Sequence, residues 1–318
     1  MKKSFRKKIK QALDNSSLRN ALENLGATYP QARAKAYEGV DFEALRSEVE
    51  QVKENAIANI ESLADTFEEK VRGNGGVFHR AADGREVIEI IKAIAGKRST
   101  AGVGESSKKV GFSPPTSEER RVITCVKSKS MTSEEIELNE GLEDMMAVVE
   151  TDLGEWIIQQ VAEKPSHIVM PAIHLTKEKC AEIFSKAVGY KVEPDIPRMV
   201  NLARRILRDH FLKADIGISG CNIAAAQTGT MVIFTNEGNA RLTSTLPPVH
   251  IVLLGYEKLV PKFKDIAATV NVLPKSATGQ VITSYITMIS GPAETLESGF
   301  SQTSSSEEPE NKQKFFGG

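Results

Sequence analysis

AQTGTMVIFTNEGNARLTSTLPPVHIVLLG, Ala226 to Gly255, is the stretch that decides the fold. Two apolar, β-branched runs, Met231 to Thr235 and Val249 to Gly255, read as buried parallel strands. The residues between them, Asn236 to Thr245, are too polar for a core. Thr228-Gly229-Thr230 leads into the first run, and Pro247-Pro248 stiffens the entry to the second. A polar segment held between two core strands has the makings of a binding loop on a rigid sheet.

Outward from this stretch the chain alternates strand and helix. Arg121 to Lys127, Ala147 to Asp152, His167 to Ala172 and Asp215 to Gly220 read as strands. Helices are expected from about Thr132, from Leu153, after a Thr176 cap, over Met199 to Lys213, and around Lys262 to Asn271; Gln280 to Ser290 reads as the last strand. This repetition predicts an α/β fold, a mostly parallel sheet with helices on both faces, in which ligands gather at the carboxyl ends of the strands.

Upstream, residues 1–40 read as an N-terminal helical arm. One long amphipathic helix is expected from an Asp41 cap through Phe42, Val49, Ile60, Phe67 and Val71 to a Gly73 stop. A short strand, VFHRA, and a helix capped by Asp83 follow. Lys97 to Arg120 is rich in Gly, Ser, Lys and Pro, so a mobile insertion is expected within a domain spanning 41–292. Residues 293–318 read as a disordered polar tail.

Composition narrows the class. Hydrophobic content of 40% suits a soluble globular protein, and a net charge of -1 gives no global field toward nucleic acid or an anionic membrane. No apolar run approaches the roughly 20 residues of a membrane span. The start, MKKSFRKKIK, is basic but lacks the apolar core of a signal peptide. Cys125, Cys180 and Cys221 are isolated, which suits a reducing cytoplasm and supplies no iron–sulfur ligand run.

Lys127, Ser128, Lys129, Ser130 and Thr132 sit where a strand ends and a helix begins, as an anion cradle or as a capping turn with solvated lysines. Asp152 and Glu155 are acid/base groups or N-terminal helix charges. His167 and His174 flank one strand, and His250 opens another. In the polar loop, Arg241 can hold a carboxylate by two parallel hydrogen bonds. Glu237 is a base, a nucleophile or simply a partner for Arg241. Asn236 and Asn239 complete a polar small-molecule or anion site, with Thr228, Gly229 and Thr230 leading in.

KSKSM (Lys127 to Met131), ETDLGE (Glu150 to Glu155), PSHIVMPAIH (Pro165 to His174) and TGT followed by NEGNARLTSTLPPVHI resemble the LUD domain of the lactate utilisation protein B family. The resemblance runs from about Ala34 to Pro292. It implies a fold similar to the NagB/RpiA/CoA-transferase class. It also implies a part in L-lactate oxidation to pyruvate, within a cytoplasmic complex whose other subunits carry [4Fe–4S] clusters. Full-length relatives continue into a ferredoxin-like region with cluster-binding cysteines, a feature this sequence lacks, so no cofactor is expected in this chain. Gln227 stands where relatives often carry Glu.

The expected function is therefore that of a non-redox LUD-domain component, binding a small carboxylate or a partner subunit. An independent enzyme acting on a CoA thioester or phosphosugar, and a non-catalytic scaffold remnant, are the alternatives on fold analogy.

Overall fold

The computed structural model describes residues 2–107, 122–163 and 170–291. It opens with α1 (Lys2–Asp14) and α2 (Ser16–Ala36), followed by α3 (Phe42–Ala58), α4 (Ile60–Gly73) and α5 (Gly84–Ser107). Asn15, Asp41 and Asp83 cap α2, α3 and α5 through their side-chain oxygens. The expected single helix from Asp41 is two. Asn59, with ψ at 22°, interrupts it, and its amide bonds back to the Asn55 carbonyl in place of a continuous ladder. The second helix does end at Gly73, but the left-handed residue is Gly75, φ 85°, as the next amide, Gly76 N–H, returns to the Val71 carbonyl.

VFHRA is not a strand. Side chains lace it to α4 instead: Phe78 meets Phe67 edge to ring, and Arg80 pairs with Asp65 and Glu68. Part of the expected insertion is also helical, since α5 runs to Ser107 once Ile91 and Ala95 anchor it in the core. The rest of that insertion lies outside the described residues, as does the expected tail.

The central sheet takes β1 (Ile123–Lys127), then α6 (Met131–Glu135) and α7 (Leu138–Leu142), then β2 (Met146–Glu150). The single helix expected from Thr132 is these two short ones, and the cap is Ser130. Next come α8 (Leu153–Gln160), α9 (Lys177–Val188), α10 (Ile196–Lys213) and β3 (Ile216–Gly220). The strand expected at His167 to Ala172 is not present where it can be seen: Pro171 to His174 form a turn, and residues 164–169, with His167, lie outside the described residues.

Beyond β3 the chain leaves the central sheet. It forms β4 (Ile223–Ala225) and β5 (Thr230–Thr235), then α11 (Asn239–Thr245), and returns as β6 (Val249–Leu253). β7 (Leu259–Val260), α12 (Ile266–Thr278) and β8 (Tyr285–Ile289) finish the described chain. The central sheet, β2-β1-β3-β6, is wholly parallel; the second, β7-β4-β5-β8, is mixed. The two runs that opened the sequence reading thus belong to different sheets. β5 is antiparallel to both β4 and β8. The reversal is local: Gly229, φ 68°, turns the β4–β5 hairpin, and a Cβ there would come within 3.0 Å of α4 backbone.

Helices cover both faces of the parallel sheet. On one, Trp156, Phe184, Ala203 and Phe211 of α8, α9 and α10 pack against Val126. On the other, Ile91 of α5 and Leu138 and Leu142 of α7 pack on Cys125, Ile216 and Ile218. The link from β1 to β2 therefore covers one face, and that from β2 to β3 the other. The order in which strands are added reverses between β1 and β3, the kind of switch point beside which open parallel sheets bind ligands.

His250 lies on β6 with its Nε2 2.8 Å from the Ser219 hydroxyl. Burial pulls its imidazole down from 6.5 to about 4. An unfolded chain takes that proton near 6.5 and the folded one only near 4, so stability is full above 6.5 and falls as pH drops between the two values. Replacing the ring in His250→Gln should flatten this part of the melting-temperature profile relative to the parent protein.

Candidate functional site

The carboxyl ends of β1 and β2 are charged. Lys127 is the last residue of β1 and stands in register with Glu150, the last of β2. Both are buried, their side chains 3% and 5% exposed, and they pair at 2.9 Å. Lys127 Nζ also donates to Ser133 Oγ, and Asn139 donates to the same Glu150 oxygen at 2.6 Å. Lys127 is thus a built-in countercharge rather than a free anion cradle.

Lys129, two residues on, is half-buried and pairs with Glu155 of α8 at 3.1 Å. Glu155 Oε1 is buried, and the Lys129 ammonium at 3.1 Å is its close contact among the bonds described. Glu134 Oε1, Glu150 Oε2 and the Ser128 hydroxyl are buried without a hydrogen-bond partner among the described residues. Burial raises the Glu155 carboxyl, against the pull of Lys129, and the neighbouring Glu134 charge adds to the rise.

Glu237 reaches the same place from the other side of the chain. It follows β5 and stands near Asp152, Leu153 and Lys129 at the start of α8. Desolvation, then the charge of Asp152, push it up to about 7, although the side chain is exposed and water screens much of that effect. Asp152 caps α8, accepting from Gly154 and Glu155 N–H at 3.0 and 3.2 Å. Its role is the helix cap, one of the two readings the sequence left open.

The structure therefore joins Lys127, Lys129 and Glu237 and separates the other expected site residues from them. Thr228, Gly229 and Thr230 lie at the opposite end of β5, roughly 17 Å along the strand. There Thr230 Oγ1 meets the Ser290 hydroxyl and the Thr228 carbonyl accepts from Asn74. Asn236 fastens the start of β8, accepting from Ser284 N–H and donating to Gln280. Asn239 accepts from the Thr235 hydroxyl. Arg241 is exposed, with its guanidinium 5.8 Å from the centre of the Tyr285 ring, and pairs with nothing in the cluster. The segment expected as loop also contains α11, whose buried Thr243 packs on β3.

Glu134 and Glu150 escaped the sequence reading. The available signal for Glu150 was its place at a strand end, one parallel register from a lysine. Glu134 gave none, being one of two adjacent acids in a short helix.

Three thiols do not assemble a cluster ligand set. Cys125 is in β1, Cys180 in α9 and Cys221 beyond β3; burial pushes the Cys125 thiol up to about 12 and Cys221 to about 11. Among the described residues no group of His, Cys, Asp or Glu is arranged to hold a metal ion. No helix among them is long and apolar enough to cross a membrane.

Fold and site together define an α/β protein with a half-buried acid–lysine cluster at the carboxyl ends of a parallel sheet. The chain belongs to the LUD domain family, whose model matches residues 64–311. It is 38% identical over 292 residues to Lactate utilization protein B of Bacillus subtilis (strain 168), and 37% identical over 291 residues to that of Bacillus licheniformis. Lactate utilization protein B of Geobacillus kaustophilus is 37% identical over 291 residues. Each alignment covers 91% of this chain but only 56% of the relative, so the chain spans little more than half their length. No solved structure matches the chain.

Proposed function

We propose that this chain is the LUD-domain component of a system that oxidises L-lactate, and that it binds a small 2-hydroxy acid at the carboxyl ends of β1 and β2. The observation that carries the reading is the pairing, at one point, of the half-buried Lys129 ammonium with a buried Glu155 carboxylate at 3.1 Å. A 2-hydroxy acid answers both groups at once: its carboxylate faces the cation and its hydroxyl donates to the carboxylate oxygen. Glu237, with a carboxyl near neutrality, is suited to hold or take the hydroxyl proton. Kinship with proteins named Lactate utilization protein B supports the metabolic setting.

Oxidation to pyruvate breaks the hydroxyl O–H and the C2–H bonds and releases two protons and two electrons; Glu237 takes the hydroxyl proton, the C2 proton passes to solvent, and the electrons leave one at a time. We assign their acceptance to iron–sulfur clusters of partner subunits, because the thiols here are single and mostly buried.

Thermal unfolding tests the binding step. L-lactate at 100 times its dissociation constant should stabilise the protein by about 2.7 kcal/mol, since it binds only the folded state. Propionate, which lacks the hydroxyl, should give a clearly smaller shift. Lys129→Met should abolish the shift and Lys129→Arg should retain part of it, while Arg241→Ala should leave it intact. An unmoved melting temperature with lactate and pyruvate alike would count against the site.

A further inference from the structure

None of the side chains described on the first helix is buried. Along α1, Arg6, Lys7, Ile9, Lys10, Ala12 and Leu13 are all exposed, Ile9 at 44% and Leu13 at 63%. Lys2, Lys3, Arg6, Lys7, Lys8 and Lys10 precede any acid, and the first, Asp14, is the last residue of the helix. Since the whole chain carries a net charge of -1, the remainder is acidic and the positive charge is concentrated on this one element. A 13-residue helix whose Ile9, Ala12 and Leu13 are all exposed is marginal in water, because little packing offsets its nucleation cost.

Phe5, Ile9 and Leu13 recur at four-residue intervals, the spacing of one helix face, with Arg6, Lys8 and Lys10 interleaved. A narrow apolar stripe bordered by cations suits the boundary between phosphate headgroups and acyl chains, where long basic side chains reach the headgroups and the stripe enters the lipid. Six cations within ten residues complement an anionic surface more directly than an apolar groove. At about 20 Å the helix is too short to span a bilayer of roughly 30 Å. We propose that α1 binds anionic phospholipid, lying in the plane of the membrane surface. Tyr37, whose hydroxyl is 2.7 Å from Ser276 Oγ, ties the far end of α2 to α12, so the α/β body would hang from the membrane by this arm.

Sedimentation of the full-length protein with vesicles tests this. Vesicles of phosphatidylcholine mixed with phosphatidylglycerol should bind at least about tenfold more protein at low salt than phosphatidylcholine alone, and high salt should remove most of the difference. Lys7→Glu with Lys10→Glu should abolish binding, and so should Ile9→Ser with Leu13→Ser, which keeps every charge. Absence of binding to anionic vesicles at low salt would overturn the proposal. So would unchanged binding of the serine variant, which would mean charge attraction without insertion. Self-association that both variants abolish, with no vesicle binding, would assign α1 to a second copy of the chain instead.

Discussion

Lys127→Ala should destabilise the folded state by about 3–5 kcal/mol, the usual cost of removing one partner of a buried ion pair. The cost arises from what remains: Glu150, its side chain 5% exposed, would stay at the end of β2 with Asn139 as its remaining partner among the bonds described, and no countercharge at 2.9 Å. Attraction between the two charges in water would not explain so large a value, since exposed pairs contribute at most about 1 kcal/mol. The double replacement Lys127→Met with Glu150→Gln separates the two explanations. It removes both charges, fills similar volume and leaves an amide oxygen to accept from Asn139, so most of the lost stability should return. Denaturant midpoints at unchanged slope would measure it. A single-variant loss below 1 kcal/mol would mean that the pair is solvated and that the cluster is not a buried one.

Gly217→Ala should be the second severe change. A Cβ on Gly217 would stand 2.0 Å from the Thr243 carbonyl oxygen and 3.1 Å from Pro247 Cγ. The obstacle is backbone, so no side-chain rotation relieves it; α11 must move off β3. Overpacking of this kind costs about 1–3 kcal/mol and occasionally more. It should also weaken hydroxy-acid binding, because α11 begins two residues after Glu237 and fixes the end of that segment. Gly238→Ala is the matched control. A Cβ there meets nothing within 4 Å and the backbone is already helical, so stability should change by less than about 0.5 kcal/mol. Equal tolerance of both substitutions would contradict the close seating of α11.

Much of the fold could be read from the chain because its signals are local. Apolar runs gave β1, β2, β3 and β6, and side-chain caps at Asp41, Asp83 and Thr176 marked helix starts. What escaped depends on partners distant in sequence. β4 is three residues, Ile-Ala-Ala, and β7 only Leu259–Val260; neither carries a strand pattern, and both exist because they pair. Without them, β5 and β6 look like neighbours in one parallel sheet, when a hairpin turned at Gly229 sends β5 into another. The site divides in the same way. Lys127 and Lys129 were visible as cations at a strand end, and Glu237 as the loop's carboxylate. That they converge, while Thr228 to Thr230 lie at the far end of β5 and Arg241 turns to Tyr285, is a consequence of register and sheet order.

The most direct measurement is a crystal structure of the protein grown with L-lactate. The account predicts one ordered lactate at the carboxyl ends of β1 and β2, its carboxylate within hydrogen-bond distance of Lys129 Nζ and its hydroxyl directed at Glu155 or Glu237. Lactate ordered elsewhere on the chain, or none at saturating concentration, would contradict it.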